Sequence, residues 1–132
     1  DVRVYSQACP LFVPLVEEGW LDHPVTLLTA QEYLKSVLVE EVDTLVLGCT
    51  HYPLIKPLLQ QVAGDKMNIV DSAVTTAEAT ARRLGELGLL NPQRTMPSYQ
   101  YFVTDIPLRF QTIGERFLGR SIHKLEMVRL GA

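Results

Sequence analysis

The residues of this chain best suited to chemistry are a cysteine, a threonine and a histidine in one short run, Cys49-Thr50-His51. A thiolate is a strong nucleophile and base, and it is stabilised by a nearby imidazolium or a helix N-terminus. A threonine hydroxyl and the free backbone N–H groups of a turn can bind a carboxylate. The run therefore predicts a reactive thiol beside a site for an acid. The alternative is structural, because unpaired cysteines are commonly buried as small hydrophobic residues.

The segment before the cysteine predicts how it is positioned. Residues 44–47 are β-branched and aliphatic on both faces, which favours a fully buried strand. Gly48 would allow a sharp turn, and Pro53 suits the first turn of a following helix. Cys49 is therefore predicted at the carboxyl end of a strand and just before a helix N-terminus, which is where open α/β sheets bind ligands.

Strand and helix patterns alternate along the whole chain, which predicts an α/β fold with mostly parallel sheets and flanking helices. Asp22 or His23 is expected to cap the second helix, Asp71 or Ser72 the fourth, and Asp105 the last. Lys56 is expected to be solvated. The predicted strands are 2–7, 44–48, 67–71, 99–104 and 125–130, and the predicted helical segments are 15–19, 24–42, 54–64, 73–87 and 107–118.

The composition excludes several classes of protein. An apolar content of 47% and a charged content of 20% are globular values. The net charge of −3 and the absence of a Lys/Arg cluster argue against a nucleic-acid partner. The two cysteines have no metal-ligand spacing, and no apolar run is long enough for a membrane span. The sequence predicts a cytoplasmic protein with reduced thiols and no metal site.

The segment Gly48-Cys49-Thr50-His51-Tyr52-Pro53-Leu54 resembles the second catalytic-cysteine motif of glutamate racemases. Residues 8–17, 69–73, 102–105 and 117–119 resemble further segments of that family in the same order, and the resemblance extends over essentially all 132 residues. The Asp-Ser-Gly-type turn and the Ala-Cys-Asn-Thr-like motif of the family's first catalytic cysteine do not occur. The chain is therefore expected to be the carboxyl-terminal half of such an enzyme.

The resemblance implies an isomerase that interconverts L- and D-glutamate without a cofactor such as PLP and supplies D-glutamate for peptidoglycan. Cys49 would be one of two catalytic thiols, and the partner thiol would lie in the missing amino-terminal half. His51 would hold the proton or charge of Cys49 and, with Thr50, bind the substrate. Glu17 would orient His51, unless its carboxylate is only part of a solvated face. Cys9 is expected to be structural.

The resemblance also implies a two-domain fold of the aspartate/glutamate racemase type. Residues 1–70 would complete the second domain and residues 71–132 would return to the first, and the full-length enzyme is expected to be a homodimer. Four residues are expected where the missing half would cover the chain: Val46, Leu47, Ile69 and Val70. Two alternatives remain open. One is a related racemase or single-thiol decarboxylase of the same superfamily, and the other is a catalytically silent binding module.

Overall fold

The computed structural model describes residues 1–93 and 95–131. The chain forms two compact units, Asp1–Leu90 and Asn91–Ala132. In the first unit the elements are α1 (Phe12–Glu17), α2 (Pro24–Leu38), β1 (Thr44–Leu47), a 3₁₀ turn (Tyr52–Ile55), α3 (Lys56–Ala63), β2 (Asn68–Asp71) and α4 (Ser72–Glu86). In the second they are β3 (Tyr101–Val103), α5 (Pro107–Leu118) and β4 (Leu125–Met127).

The strands of each unit form a parallel pair. β1 lies beside β2 with Thr44 opposite Asn68 and Leu47 opposite Asp71, and β3 pairs in parallel with β4. Parallel strands require a crossover connection, and α3 and α5 provide it. The α/β class with parallel strands and flanking helices is confirmed. The predicted domain boundary at residue 70 concerns a larger fold and stays a prediction.

The core of the first unit lies where α1, α2 and α3 pack together with one face of the β1–β2 pair. Its buried hydrophobic residues come from every one of these elements: Cys9, Phe12, Val16, Ala30, Leu34, Leu47, Ile55, Leu58, Leu59, Met67 and Ile69. Fully burying one such aliphatic or aromatic side chain contributes about 1.5–3 kcal/mol of transfer free energy. The unit therefore has a continuous apolar core beneath the segment that carries Cys49.

The helix starts follow their capping signals in the first unit. His23 caps α2, because its Nδ1 accepts a hydrogen bond from the Val25 N–H at 3.2 Å. Asp71 caps α4 by accepting from the Val74 N–H at 3.1 Å. Both residues supply an acceptor for an N–H group that the helix itself leaves without a partner.

In the second unit, helix α5 does not have the cap that was predicted for it. Ile106 occupies the cap position of α5, and no side chain caps the helix there. Asp105 instead accepts a hydrogen bond from the N–H of Ile106, its neighbour in sequence, at 2.8 Å. The prediction that Asp105 caps this helix is wrong, because the carboxylate is engaged one residue too early.

One predicted strand is absent, and the predicted burial of another is wrong. Residues 2–7 alternate like a strand but form no strand in the structure. Residues 44–47 were expected to be buried on both faces, yet Val46 is 68% exposed while Leu47 is buried. A parallel strand is covered on both faces only when helices lie on both sides of the sheet. In the described residues β1 is covered on one face.

The uncovered surface differs in part from the predicted one. Of the four residues expected at an uncovered junction, Val46 is exposed and Val70 is half-buried, but Leu47 and Ile69 are buried within the first unit. Neither α4 nor α5 has a buried residue. No helix in the described parts of the chain is both long enough and apolar enough to cross a membrane.

Candidate active site

Cys49, Thr50 and His51 lie at the carboxyl end of β1, in the segment that connects β1 to α3. Cys49 is half-buried and Thr50 is exposed. The next element is the 3₁₀ turn, and the Tyr52 N–H donates to the Cys49 carbonyl at 3.3 Å. The α-helix predicted directly after this segment begins only at Lys56. Because a helix dipole acts mainly within the first turn, α3 begins too far along the chain to act strongly on Cys49.

The imidazole of His51 lies close to the side chains of the other three residues predicted for the site. His51 Nδ1 is 4.0 Å from Cys49 Sγ and 3.4 Å from Thr50 Oγ1. On the other side of the ring, His51 Nε2 is 3.4 Å from Glu17 Oε1. The structure thus arranges thiol, imidazole and carboxylate in a row, and the Thr50 hydroxyl lies on the Nδ1 side of the ring, as the thiol does.

The row formed by Glu17, His51 and Cys49 determines how the imidazole can exchange a proton with the thiol. A carboxylate at Nε2 favours a ring that carries its proton on that nitrogen, since the carboxylate can only accept. The neutral ring then presents an unprotonated Nδ1 towards Cys49, and Nδ1 can accept the thiol proton. The protonated ring would be held between the carboxylate and the thiolate. The arrangement can therefore shuttle a proton to and from Cys49.

The short helix α1 places Glu17 at the site. Phe12 and Val16 are buried on one face of this helix, and Glu17 follows Val16 at the edge of that face. The Phe12 ring packs edge-on against the ring of Tyr52, with centroids 5.3 Å apart. In addition, the Tyr52 hydroxyl donates to the Cys9 carbonyl at 3.1 Å. The residue after His51 thus fixes the start of α1 against the site.

Cys9 has the environment of a structural cysteine. It is 8% exposed and belongs to the core of the first unit. Burial raises the pKa of the Cys9 thiol, because the apolar surroundings disfavour the thiolate. Its Sγ faces the Gln7 carbonyl at 3.6 Å.

Two further features of the site differ from the sequence prediction. Gly48 does not adopt a positive φ, and a Cβ at this position would meet no atom within 4 Å. The sharp turn predicted there is therefore not what requires glycine. Lys56, predicted to be solvated, donates to Asp71 Oδ2 at 3.0 Å. The available signal was positional, because the segment that leads to Lys56 begins where β1 ends, and Asp71 ends the neighbouring strand β2.

Asp71 is held as a carboxylate by its surroundings. The Val74 N–H and the Lys56 ammonium lower the pKa of Asp71, and its side chain is 7% exposed. The described residues contain no group of three or more His, Cys, Asp or Glu side chains that could hold a metal ion.

The two thiols differ in access, and this gives a first prediction. We expect iodoacetamide to alkylate Cys49 at least about tenfold faster than Cys9 in the folded protein, because Cys49 is half-buried beside an imidazole whereas Cys9 is in the core. Peptide mass spectrometry after timed quenching measures both rates in one sample. Equal rates before unfolding, and equal dependence on pH, would contradict a reactive Cys49.

Two of three comparisons with known proteins find matches, and both find glutamate racemases. No protein-family model matches the chain. A curated glutamate racemase from Syntrophus aciditrophicus is 65% identical over 98% of the chain and 48% of its own length. The solved glutamate racemase from Francisella tularensis, in complex with D-glutamate, has a TM-score of 0.86 at 37% identity and is covered over 48% of its length. By sequence and by structure, the chain matches half of a glutamate racemase.

A second solved glutamate racemase, from Thermus thermophilus in complex with β-chloro-D-alanine, has a TM-score of 0.85 at 42% identity over 94% of this chain and 47% of the other. The chain thus spans about half the length of the glutamate racemases it matches. The resemblance to glutamate racemases that the motifs predicted is confirmed, and so is the racemase-like fold. The roles of the individual site residues stay predictions.

Proposed function

We propose that this chain is the carboxyl-terminal half of a glutamate racemase and supplies one of its two catalytic thiols, Cys49. The observation that carries the proposal is the row formed by Cys49, His51 and Glu17, which can give a proton to a thiol and take one from it. The relatives that share the fold support glutamate as the substrate, because the Francisella tularensis racemase is solved with D-glutamate. In the full-length protein, as proposed, this chain is joined to an amino-terminal half.

The reaction follows from the chemistry of a weak carbon acid. The Cys49 thiolate removes the α-proton from one face of glutamate, and the electron pair is delocalised into the substrate α-carboxyl group. A second thiol, contributed by the amino-terminal half, returns a proton to the opposite face. A base and an acid on opposite faces are sufficient for inversion, so we propose that the enzyme needs no cofactor.

His51 and Glu17 keep Cys49 competent in both directions. When Cys49 must act as a base, its proton passes to His51 Nδ1, and Glu17 stabilises the resulting imidazolium through Nε2. When Cys49 has taken the substrate proton, the neutral imidazole again faces a thiol. Thr50 is exposed, and its hydroxyl lies 3.4 Å from the same His51 Nδ1, so we propose that it binds a substrate carboxylate.

The biological role follows from the product. D-glutamate is a component of peptidoglycan, so we propose a cytoplasmic enzyme of cell-wall synthesis. The full-length protein would be a homodimer.

The reaction is tested in the full-length protein without added cofactor. We expect the circular dichroism of either L- or D-glutamate to decay to zero, and in D₂O we expect one deuterium at the α-carbon of each product molecule. Retained optical activity together with α-deuterium would indicate a single-thiol enzyme of the same superfamily. If neither enantiomer shows α-deuterium exchange or inversion, the catalytically silent binding module is the remaining interpretation.

A further inference from the structure

An ion pair with one buried partner joins the end of the Cys49 segment to the neighbouring strand. Lys56 is the first residue of α3, and its Nζ lies 3.0 Å from Asp71 Oδ2 at the end of β2. Lys56 is 39% exposed, whereas Asp71 is 7% exposed. An ion pair with one buried partner is sensitive to loss of the other, because the remaining charge is left without compensation.

The same aspartate is also placed at the beginning of that segment. In the ladder between β1 and β2, Asp71 is the residue opposite Leu47, the last residue of β1. Gly48 and Cys49 follow directly. The backbone of Asp71 therefore lies beside the start of the segment, while its side chain binds the end of it.

The side chain of Asp71 is fixed independently of Lys56. Its other oxygen, Oδ1, accepts from the Val74 N–H at 3.1 Å and so belongs to the first turn of α4. In addition, the Thr75 hydroxyl donates to the Asp71 carbonyl at 3.1 Å. A carboxylate held on one side by a helix gives Lys56 a rigid partner rather than a mobile one.

We propose that Lys56 and Asp71 are positioning residues that hold the segment 48–55, and with it Cys49, at a fixed distance from the substrate α-carbon. Both ends of this segment are held at Asp71. The backbone of Asp71 lies beside Leu47, just before the segment, and its carboxylate binds Lys56, just after it. Breaking the ion pair releases the end at Lys56 and leaves the ladder at Leu47 intact. This inference rests on the proposed function and adds two residues that act through the position of Cys49.

If Lys56 and Asp71 position Cys49, breaking their ion pair should slow the reaction of one substrate enantiomer only. General destabilisation of the fold would slow the reaction of both. A displacement of about 1 Å in a reacting group can cost about 10²-fold in rate. The displaced group is Cys49 and not the thiol of the other half. A reaction that needs only one base, the loss of HCl from 3-chloroglutamate, should therefore be slowed only for the enantiomer whose proton Cys49 removes.

The test uses Lys56→Met and Lys56→Arg in the full-length protein, with chloride release measured for both enantiomers of 3-chloroglutamate. We expect Lys56→Met to lower kcat about tenfold for the Cys49-dependent enantiomer and less than about twofold for the other, with KM little changed. Lys56→Arg should keep most of the unmodified kcat for that enantiomer, because a guanidinium can also bind the Asp71 carboxylate.

Two controls separate positioning from folding. Asp71→Asn keeps an acceptor for the Val74 N–H but removes the charge, so it should reproduce the asymmetric loss, and combining it with Lys56→Met should add little. Arg83→Met breaks the exposed Arg83–Glu86 pair on α4 and should leave both enantiomers unaffected.

The outcomes distinguish this inference from the proposed function. Equal losses for the two enantiomers in Lys56→Met, at conditions where melting curves show folded protein, would overturn the positioning role. So would an unchanged rate for both. If Cys49→Ser itself leaves both enantiomers equally active, the proposed function fails and the positioning role fails with it.

Discussion

Replacing Cys49 with serine in the full-length protein is expected to abolish racemisation of glutamate in both directions. A serine hydroxyl does not ionise near neutral pH, and a positioned general acid or base contributes about 10²–10⁴-fold to a rate. Both directions are lost because each turnover uses one thiol as the base and the other as the acid. The measurement is the initial change in circular dichroism from pure L- and from pure D-glutamate.

The same variant should lose elimination for only one enantiomer of 3-chloroglutamate. Elimination removes the α-proton to one base, expels chloride from the β-carbon and yields an enamine, which water hydrolyses to the keto acid and ammonia. No thiol is needed on the opposite face. The enantiomer whose proton faces Cys49 should therefore be inert, while the other should react at close to the unmodified rate.

A matched control is available in the second cysteine. Cys9→Ala removes a buried thiol that lies in the core and contacts a backbone carbonyl, so both racemisation and elimination should persist. Equal loss of elimination for both enantiomers in Cys49→Ser would argue against a dedicated role for this thiol. Loss of racemisation in Cys9→Ala, with the fold intact, would show that the catalytic thiol had been misassigned.

The second large effect concerns the chain without its proposed partner half. We expect residues 1–132 alone to have no racemase activity and to self-associate or unfold with poor cooperativity. The structure supports this expectation, since α4 and α5 have no buried residue and large apolar side chains such as Val46 and Leu108 are exposed. Exposed apolar surface and open strand edges promote association.

Adding the separately expressed amino-terminal half should restore both a monodisperse species and racemisation of glutamate. Light scattering and circular dichroism measure the two effects. The matched control is the chain with Cys49→Ser, which should restore the monodisperse species but not the activity. A sharp two-state melt of a monomeric 132-residue chain would show that it is self-sufficient and would contradict the two-half proposal.

The sequence by itself determined the features that depend on neighbouring residues. Helix starts were predictable at His23 and Asp71, because a cap and the N–H group that it accepts from are at most three residues apart. The alternation of strands and helices predicted the parallel pairs. The order of residues around Cys49 was sufficient to identify the resemblance to glutamate racemases, which the comparisons confirm.

The tertiary structure alone decided which distant residues meet and which surfaces are covered. Glu17 could be a solvated carboxylate until the packing of α1 placed it 3.4 Å from His51 Nε2. Lys56 was predicted to be solvated and instead binds Asp71, and Leu47 was expected at an uncovered junction and instead is buried. Periodicity and capping report the conformation of a few consecutive residues. Contacts between remote segments, and the burial of a strand face, depend on how whole elements pack, and no local pattern encodes that.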